Sequence, residues 1–430
     1  MRTKNSEYRI GGVSCEALAE KMGTPLQIFD QEKIENRLQE YQTYFKSHRF
    51  ETGVIYASKA FLCKAMLELL EEQNFCLDVV SGGELHCAKT SNFTMSRIFF
   101  HGNNKSQAEL EQALEYGVGT VVLDNPEETE LLISLAEEKR KRIDVLIRIN
   151  PGIEAHTHKY IMTAHLDSKF GISIRKKEEI VNMIRSIEKS AFVNFEGIHA
   201  HIGSQIFDVQ AFREEVRILA KFAEVLEKED GIPVHTFDLG GGFAATYTAE
   251  DSPIPIQEAC RAVLKACEEE ADKRDLTLRR VFIEPGRSLI AEAGSTLYRI
   301  GFQKDTESKH YIFIDGGMAD NIRPTLYQAK YNCDNISRLN EAKTVWTTVA
   351  GKCCESGDIL IEDILLPPCE NGNLLLVYTT GAYGYSMASN YNRLPRPAAV
   401  FVKNGNARCV LRRETFQDLE ALECSDPVEI

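Results

Sequence analysis

The chain has 430 residues, 43% hydrophobic and 27% charged, an ordinary balance for a globular protein with room for two cored domains. Its net charge of -14 argues against nucleic acid as a partner, because phosphate binding needs a basic face. Twelve scattered cysteines form no C-x-x-C pair and imply reduced thiols in a cytoplasmic protein, and neither a signal-like apolar segment nor a membrane-length apolar run occurs.

Ser14–Lys21 reads as a helix, Pro25–Phe29 as a strand, and Asp30 as the N-cap of a helix from Gln31 to Phe45. Strands and helices then alternate. The expected strands are Val54–Ser58, Leu77–Ser81, Ile98–His101, Thr120–Asp124, Val145–Asn150, Glu196–Ile202, Thr236–Leu239 and Val281–Glu284. Helical runs between them include Ser106–Tyr116, Pro126–Lys141, Lys176–Lys189 and Val209–Lys228. The strands are continuous apolar runs, as parallel strands buried on both faces should be. Eight such units over about 250 residues predict a (β/α)8 barrel. A doubly wound sheet would need fewer strands and usually a G-x-G-x-x-G after the first, which is absent.

Beyond about Ser288 short strands dominate: Ser295–Gln303, His310–Ile314, Thr344–Ala350, Leu374–Thr379, Ala398–Lys403 and Ala407–Arg412. The predicted organisation is therefore a barrel over residues 30–287 and an all-β domain over 288–430, with residues 1–29 packing on the latter.

Active sites of such barrels lie at the C-terminal ends of the strands. Strand one ends in Lys59, whose amine burial would bring toward the neutral form that attacks an aldehyde. Strand two ends near Asp78 and in Ser81-Gly82-Gly83, and strand three in His101-Gly102-Asn103-Asn104-Lys105. Strand five carries Arg148, and strand six ends in His199, His201, Ser204 and Gln205. Strand seven ends in Asp238-Leu239-Gly240-Gly241-Gly242, and strand eight in Glu284-Pro285-Gly286-Arg287. A glycine run and an Arg-bearing turn after strands seven and eight suit a phosphate. A Schiff-base lysine, a phosphate cradle and a buried acid together describe pyridoxal phosphate, with Glu284 on the pyridinium nitrogen. The alternative for Glu284 is a strand-end ion pair with Arg148 or Arg287. His201 suits stacking on the ring, or is a satisfied core histidine. In the β region Arg323 and Tyr327 stand one helical turn apart, Cys354 adjoins Glu355, and Tyr383 sits in a Gly-rich turn. A cysteine beside an acid suits proton donation, or is an ordinary half-buried thiol.

The series YASKAF, DVVSGGEL, HGNNKS, HAHIGSQI, DLGGGF, EPGRS, CESGD and GAYGYSMASNYN resembles that of the diaminopimelate decarboxylases. These are fold-type III pyridoxal-phosphate enzymes, similar to alanine racemase and eukaryotic ornithine decarboxylase. The resemblance implies a homodimer with shared active sites that converts meso-2,6-diaminopimelate to L-lysine and CO2. It makes Lys59, His201, Glu284 and Cys354 catalytic, with Cys354 as proton donor. Cofactor contacts are implied for Lys59, Asp78, His201, Ser204, Gly240, Gly241, Gly242, Glu284, Pro285, Gly286, Arg287 and Tyr383. Substrate contacts are implied for Arg287, Arg323, Tyr327, Glu355 and Tyr383, and no metal is expected. The chain departs from the family's usual residues at Lys352-Cys353 and at Ala244-Ala245-Thr246-Tyr247. A racemase or a cofactor-binding homeostasis protein are the competing readings. Cys354, Glu355 and Arg323 speak against the first, and the long β region against the second.

Overall fold

The computed structural model describes residues 7–152 and 168–425. They form two compact units, one of residues 35–245 and 252–289, the other of residues up to 34, 246–251 and from 290 onward. The division is not a single cut near residue 287, because Thr246–Asp251 groups with the β-rich unit.

The first unit is a closed parallel barrel. Its strands are Glu51–Ala57, Cys76–Val79, Ile98–Phe100, Thr120–Leu123, Ile143–Asn150, Val193–His199, Thr236–Asp238 and Arg280–Ile283. Each pairs with the next in parallel, and the last pairs back onto the first, Phe282 opposite Gly53. All eight expected strands are present; the last ends at Ile283, so Glu284 stands just beyond the ladder. The helices start where their caps dictate. Ser106 and Glu109 form a capping box for Gln107–Tyr116, and Asn125 caps Pro126–Lys139, with proline in the first turn, where its missing N–H costs nothing. Val209–Asp230 runs to Gly231, whose φ of 67° ends the helix in the left-handed region that glycine tolerates.

One layer of the barrel interior is apolar: Ile55, Phe99, Val122, Leu146 and Phe282 pack together, with Cys76 against them. The Phe99 and Phe282 rings are 5.1 Å apart. Gly53 makes room for this layer, since a Cβ there would lie 2.3 Å from the Phe282 ring. Side chains two residues apart on a strand share a face. The next inward layer toward the strand ends is therefore set by the sequence as Asp78, His101, Asp124, Arg148 and Glu284, an apolar plug with a charged floor above it.

The second unit is built on a nine-stranded sheet. Its spine is Gly294–Asp305. The first half pairs with Leu26–Asp30 and Leu374–Tyr378, and the second half with His310–Ile314, across a register shift between Ile300 and Gln303. Leu26–Asp30 lies between the spine and Ala398–Lys403. Alternate residues Leu26, Ile28, Leu374, Leu376, Val400 and Val402 make one core face, covered by Cys15, Leu18 and Ala19 of the helix Cys15–Met22. Cys333–Asn335 and Ile359–Leu366 are strands with no counterpart in the sequence reading, and Arg323–Tyr327 and Phe416–Glu420 are short helices.

Candidate active site

The strand tips of the barrel converge on Glu284. Its Oε1 lies 2.7 Å from His101 Nε2 and its Oε2 3.2 Å from His199 Nε2. The imidazoles themselves meet edge to face, 4.9 Å apart. Burial alone would push this carboxyl up, but the adjoining His101 and His199 outweigh it and hold Glu284 well below the usual range. Asp238 goes the other way: burial, with the Glu284 carboxylate alongside, pushes it well up. Burial also brings His199 down to about 4. The donor atoms of His101, His199, Asp238 and Glu284 lie within 4.8 Å of one another, a spacing also compatible with a metal ion.

Lys59 follows the first strand in a single 3-10 turn, Ser58–Ala60. Its Nζ is 3.5 Å from Oδ2 of the buried Asp78, whose Oδ1 lies 3.9 Å from His101 Nε2. The side chain is 49% exposed. The strand ends one residue before Ser58 and the lysine stands clear of the ladder.

His201 is fixed by the glycine run. Its Nδ1 accepts from the Gly241 amide at 3.1 Å, which leaves the ring proton on Nε2. Burial and the nearby Lys59 amine hold the imidazole well below its usual range. The glycines are required by close backbone approach. A Cβ on Gly241 would sit 2.2 Å from Glu284 O, and one on Gly242, at φ 101°, 2.6 Å from Gly203 O. Here the ends of strands six, seven and eight meet. The buried Arg287 donates from Nη2 to Ser204 Oγ at 3.0 Å, which joins the Gly286-Arg287 turn to the Ser204 turn.

In the β unit the buried Arg323 is caged by aromatic rings. Its guanidinium carbon lies 5.5 Å from the Tyr247 ring centre, 5.8 Å from that of Tyr327 and 5.6 Å from that of Tyr383. Tyr383 adopts φ 60° in its Gly-rich turn. Cys354 and Glu355 lie on the exposed loop after the strand Val345–Ala350. The Cys354 amide donates to Asn392 Oδ1 at 2.7 Å, and Thr325 Oγ1 donates to Gly357 O at 2.8 Å. The loop is thereby tied both to the Arg323 helix and to the turn that follows Tyr383. Tyr247 was missed as a site residue in the sequence. Its one signal is the unusual turn after the glycine run.

The pyridoxal binding domain of the pyridoxal-dependent decarboxylases matches residues 31–291. The diaminopimelate decarboxylase of Bacillus subtilis is 46% identical over 423 residues, 98% of this chain and 96% of that one. That of Mycobacterium tuberculosis is 40% identical, covering 96% of this chain and 94% of that one. The chain belongs to the diaminopimelate decarboxylase family. Solved members of that family share the fold closely. The enzyme from M. jannaschii in co-complex with L-lysine superposes with a TM-score of 0.92 at 34% identity, covering 99% of this chain and 98% of that one. The Helicobacter pylori diaminopimelate decarboxylase complexed with L-lysine gives 0.86 at 32% identity, covering 95% and 98%.

The residues present fit the pyridoxal cofactor of such a decarboxylase. Glu284 is a buried carboxylate kept anionic, as a pyridinium partner must be. A lysine amine and a glycine-built cradle complete the set within the same barrel unit.

Proposed function

We propose that this chain decarboxylates meso-2,6-diaminopimelate to L-lysine and CO2, the last step of lysine biosynthesis, with pyridoxal 5'-phosphate. The observation that carries the substrate choice is Arg323. Its side chain is buried, and among the described residues its Nε has no hydrogen-bond partner. A buried guanidinium with an unused donor asks for a carboxylate. A substrate with a second carboxylate remote from the reacting carbon supplies one.

The chemistry the bound cofactor would supply is an electron sink for the pair that the departing carboxylate leaves behind. The chain's own residues then divide the remaining work. Lys59 would hold the aldehyde end, with Asp78 as its counter-charge. Glu284 would keep the ring nitrogen protonated, and His201 would pack on the ring face. Ser204, Gly242, the Gly286-Arg287 turn and Tyr383 would hold the phosphate, with Gly240, Gly241 and Pro285 among the other cofactor contacts. Arg323 and Arg287, with Tyr327 and Tyr383, orient the remote carboxylate, and Glu355 takes the remote ammonium. Cys354 delivers the proton to the α-carbon. Lys59 and Cys354 belong to different compact units. In a two-fold homodimer, reciprocal surfaces let the partner's loop complete each site. Cytoplasmic residence suits twelve cysteines that form no disulfide, and no described helix is long and apolar enough to cross a membrane.

The test is CO2 release from meso-diaminopimelate, L-lysine and L-ornithine in parallel. Release from meso-diaminopimelate alone is expected; preference for either of the others overturns the substrate assignment.

A further inference from the structure

We infer that Asp358 is the positioning residue of the Cys354–Glu355 loop, its carboxylate pinning that loop to the turn that precedes Arg323. The side chain is 2% exposed. Its Oδ1 accepts from the Met318 amide at 2.7 Å and its Oδ2 from the Cys353 amide at 2.8 Å. One carboxylate thus ties the residue before Cys354 to the turn Gly316–Asp320. The backbone repeats the connection. Gly351 N donates to Asp358 O at 2.9 Å, Lys352 N to Gly316 O at 2.9 Å, and Asp358 N to Glu355 O at 3.1 Å.

Two glycines are shaped around this carboxylate. A Cβ on Gly317 would lie 2.4 Å from Asp358 Oδ2, and one on Gly351 2.2 Å from the same oxygen. Both glycines sit where any larger residue would expel the acid. A buried carboxylate that accepts from two amides, one on each strand of chain it joins, fixes their separation more tightly than one shared amide bond. An exposed loop that carries a proton donor needs such a fixed base, because displacement of about an ångström at a reacting group has large rate effects. Asp358 itself need not touch substrate.

The inference rests on the reading that Cys354 and Glu355 act on the substrate, and its test separates the two. The enzyme is used as the cofactor-loaded full chain. In the wild type, the Met318 and Cys353 amides should exchange hydrogen far more slowly than those of exposed loops; if they exchange as freely, Asp358 pins nothing. Asp358→Asn keeps the shape but offers one acceptor oxygen where two amides converge. It should speed exchange at Met318 or Cys353 at least about tenfold and lower kcat by a similar factor, with cofactor content unchanged. The solvent deuterium effect on kcat should rise toward that of Cys354→Ala, a mark of slowed proton delivery that lost stability alone does not produce. Raised exchange with full turnover and an unchanged isotope effect overturns the inference. Cys354→Ala with full turnover removes the reading beneath it instead, while the exchange data still decide whether Asp358 holds the loop.

Discussion

His101 Nε2 stands 2.7 Å from Glu284 Oε1, and the two residues are supplied by strands on different sides of the barrel. The contact closes a ring of polar groups directly above an apolar plug. It makes the acid a stable anion in a place where burial alone would protonate it. Glu284→Gln keeps the shape and removes the charge. Turnover should fall on the order of 10²-fold while cofactor still binds. Cofactor content by absorbance and kcat by CO2 release check this; an unchanged kcat reduces Glu284 to a structural partner of the two histidines.

Lys59→Ala should abolish covalent retention of the cofactor. Borohydride treatment followed by peptide mass analysis should find the cofactor fixed to Lys59 in the wild type and nowhere in the variant. Labelling at another lysine would move the Schiff base away from the Lys59–Asp78 pair.

Arg323→Ala should weaken meso-diaminopimelate binding roughly tenfold to a hundredfold, the loss of a charged hydrogen bond. L-Lysine, the product, keeps that remote carboxylate and should weaken alike, whereas cadaverine, which has no carboxylate, should bind within a few-fold of the wild type. Equal damage to cadaverine would show that Arg323 serves the tyrosine cage rather than the substrate.

Asp320 sets a pH dependence of stability. It is buried against Tyr298, whose hydroxyl donates to it at 2.5 Å, and burial pushes its carboxyl up to about 7. A folded-state value above the unfolded one, roughly 4, means that the folded chain binds the extra proton. Its stabilising contribution is complete below about pH 4 and lost as pH rises to about 7, a span on the order of a few kcal/mol. Asp320→Asn should remove that loss, so the variant gains on the wild type between pH 5 and pH 7.5 in urea unfolding. Parallel curves for the two proteins would contradict the shift.

Mixing Lys59→Ala with Cys354→Ala subunits after reversible dissociation tests the shared site. Random pairing makes about half the dimers mixed, each with one intact site, so about a quarter of wild-type activity should return. The baseline is the residual activity of each variant alone. No recovery above it, with exchange of subunits verified, places Lys59 and Cys354 in one chain's site.

The barrel was legible in the sequence because parallel strands are buried on both faces and must be apolar throughout, so each strand announces its own end at the first polar or glycine residue. Lys59, Ser204 and the glycine run are read as candidates that way, since each follows the end of a strand. Which tips face one another was not legible. His101 and His199 read only as strand-end residues, and their convergence on Glu284 depends on the register around a closed sheet. Glu284's candidate partners in the sequence were Arg148 and Arg287; the structure gives it imidazoles. Tyr247 beside Arg323, and Asp358 beside Gly317, are likewise contacts between segments far apart in the chain. Periodicity is written in neighbouring residues, which one strand or helix can satisfy alone. A charge site is not, because desolvation and partner charges come from chain segments that meet only once the sheet has closed.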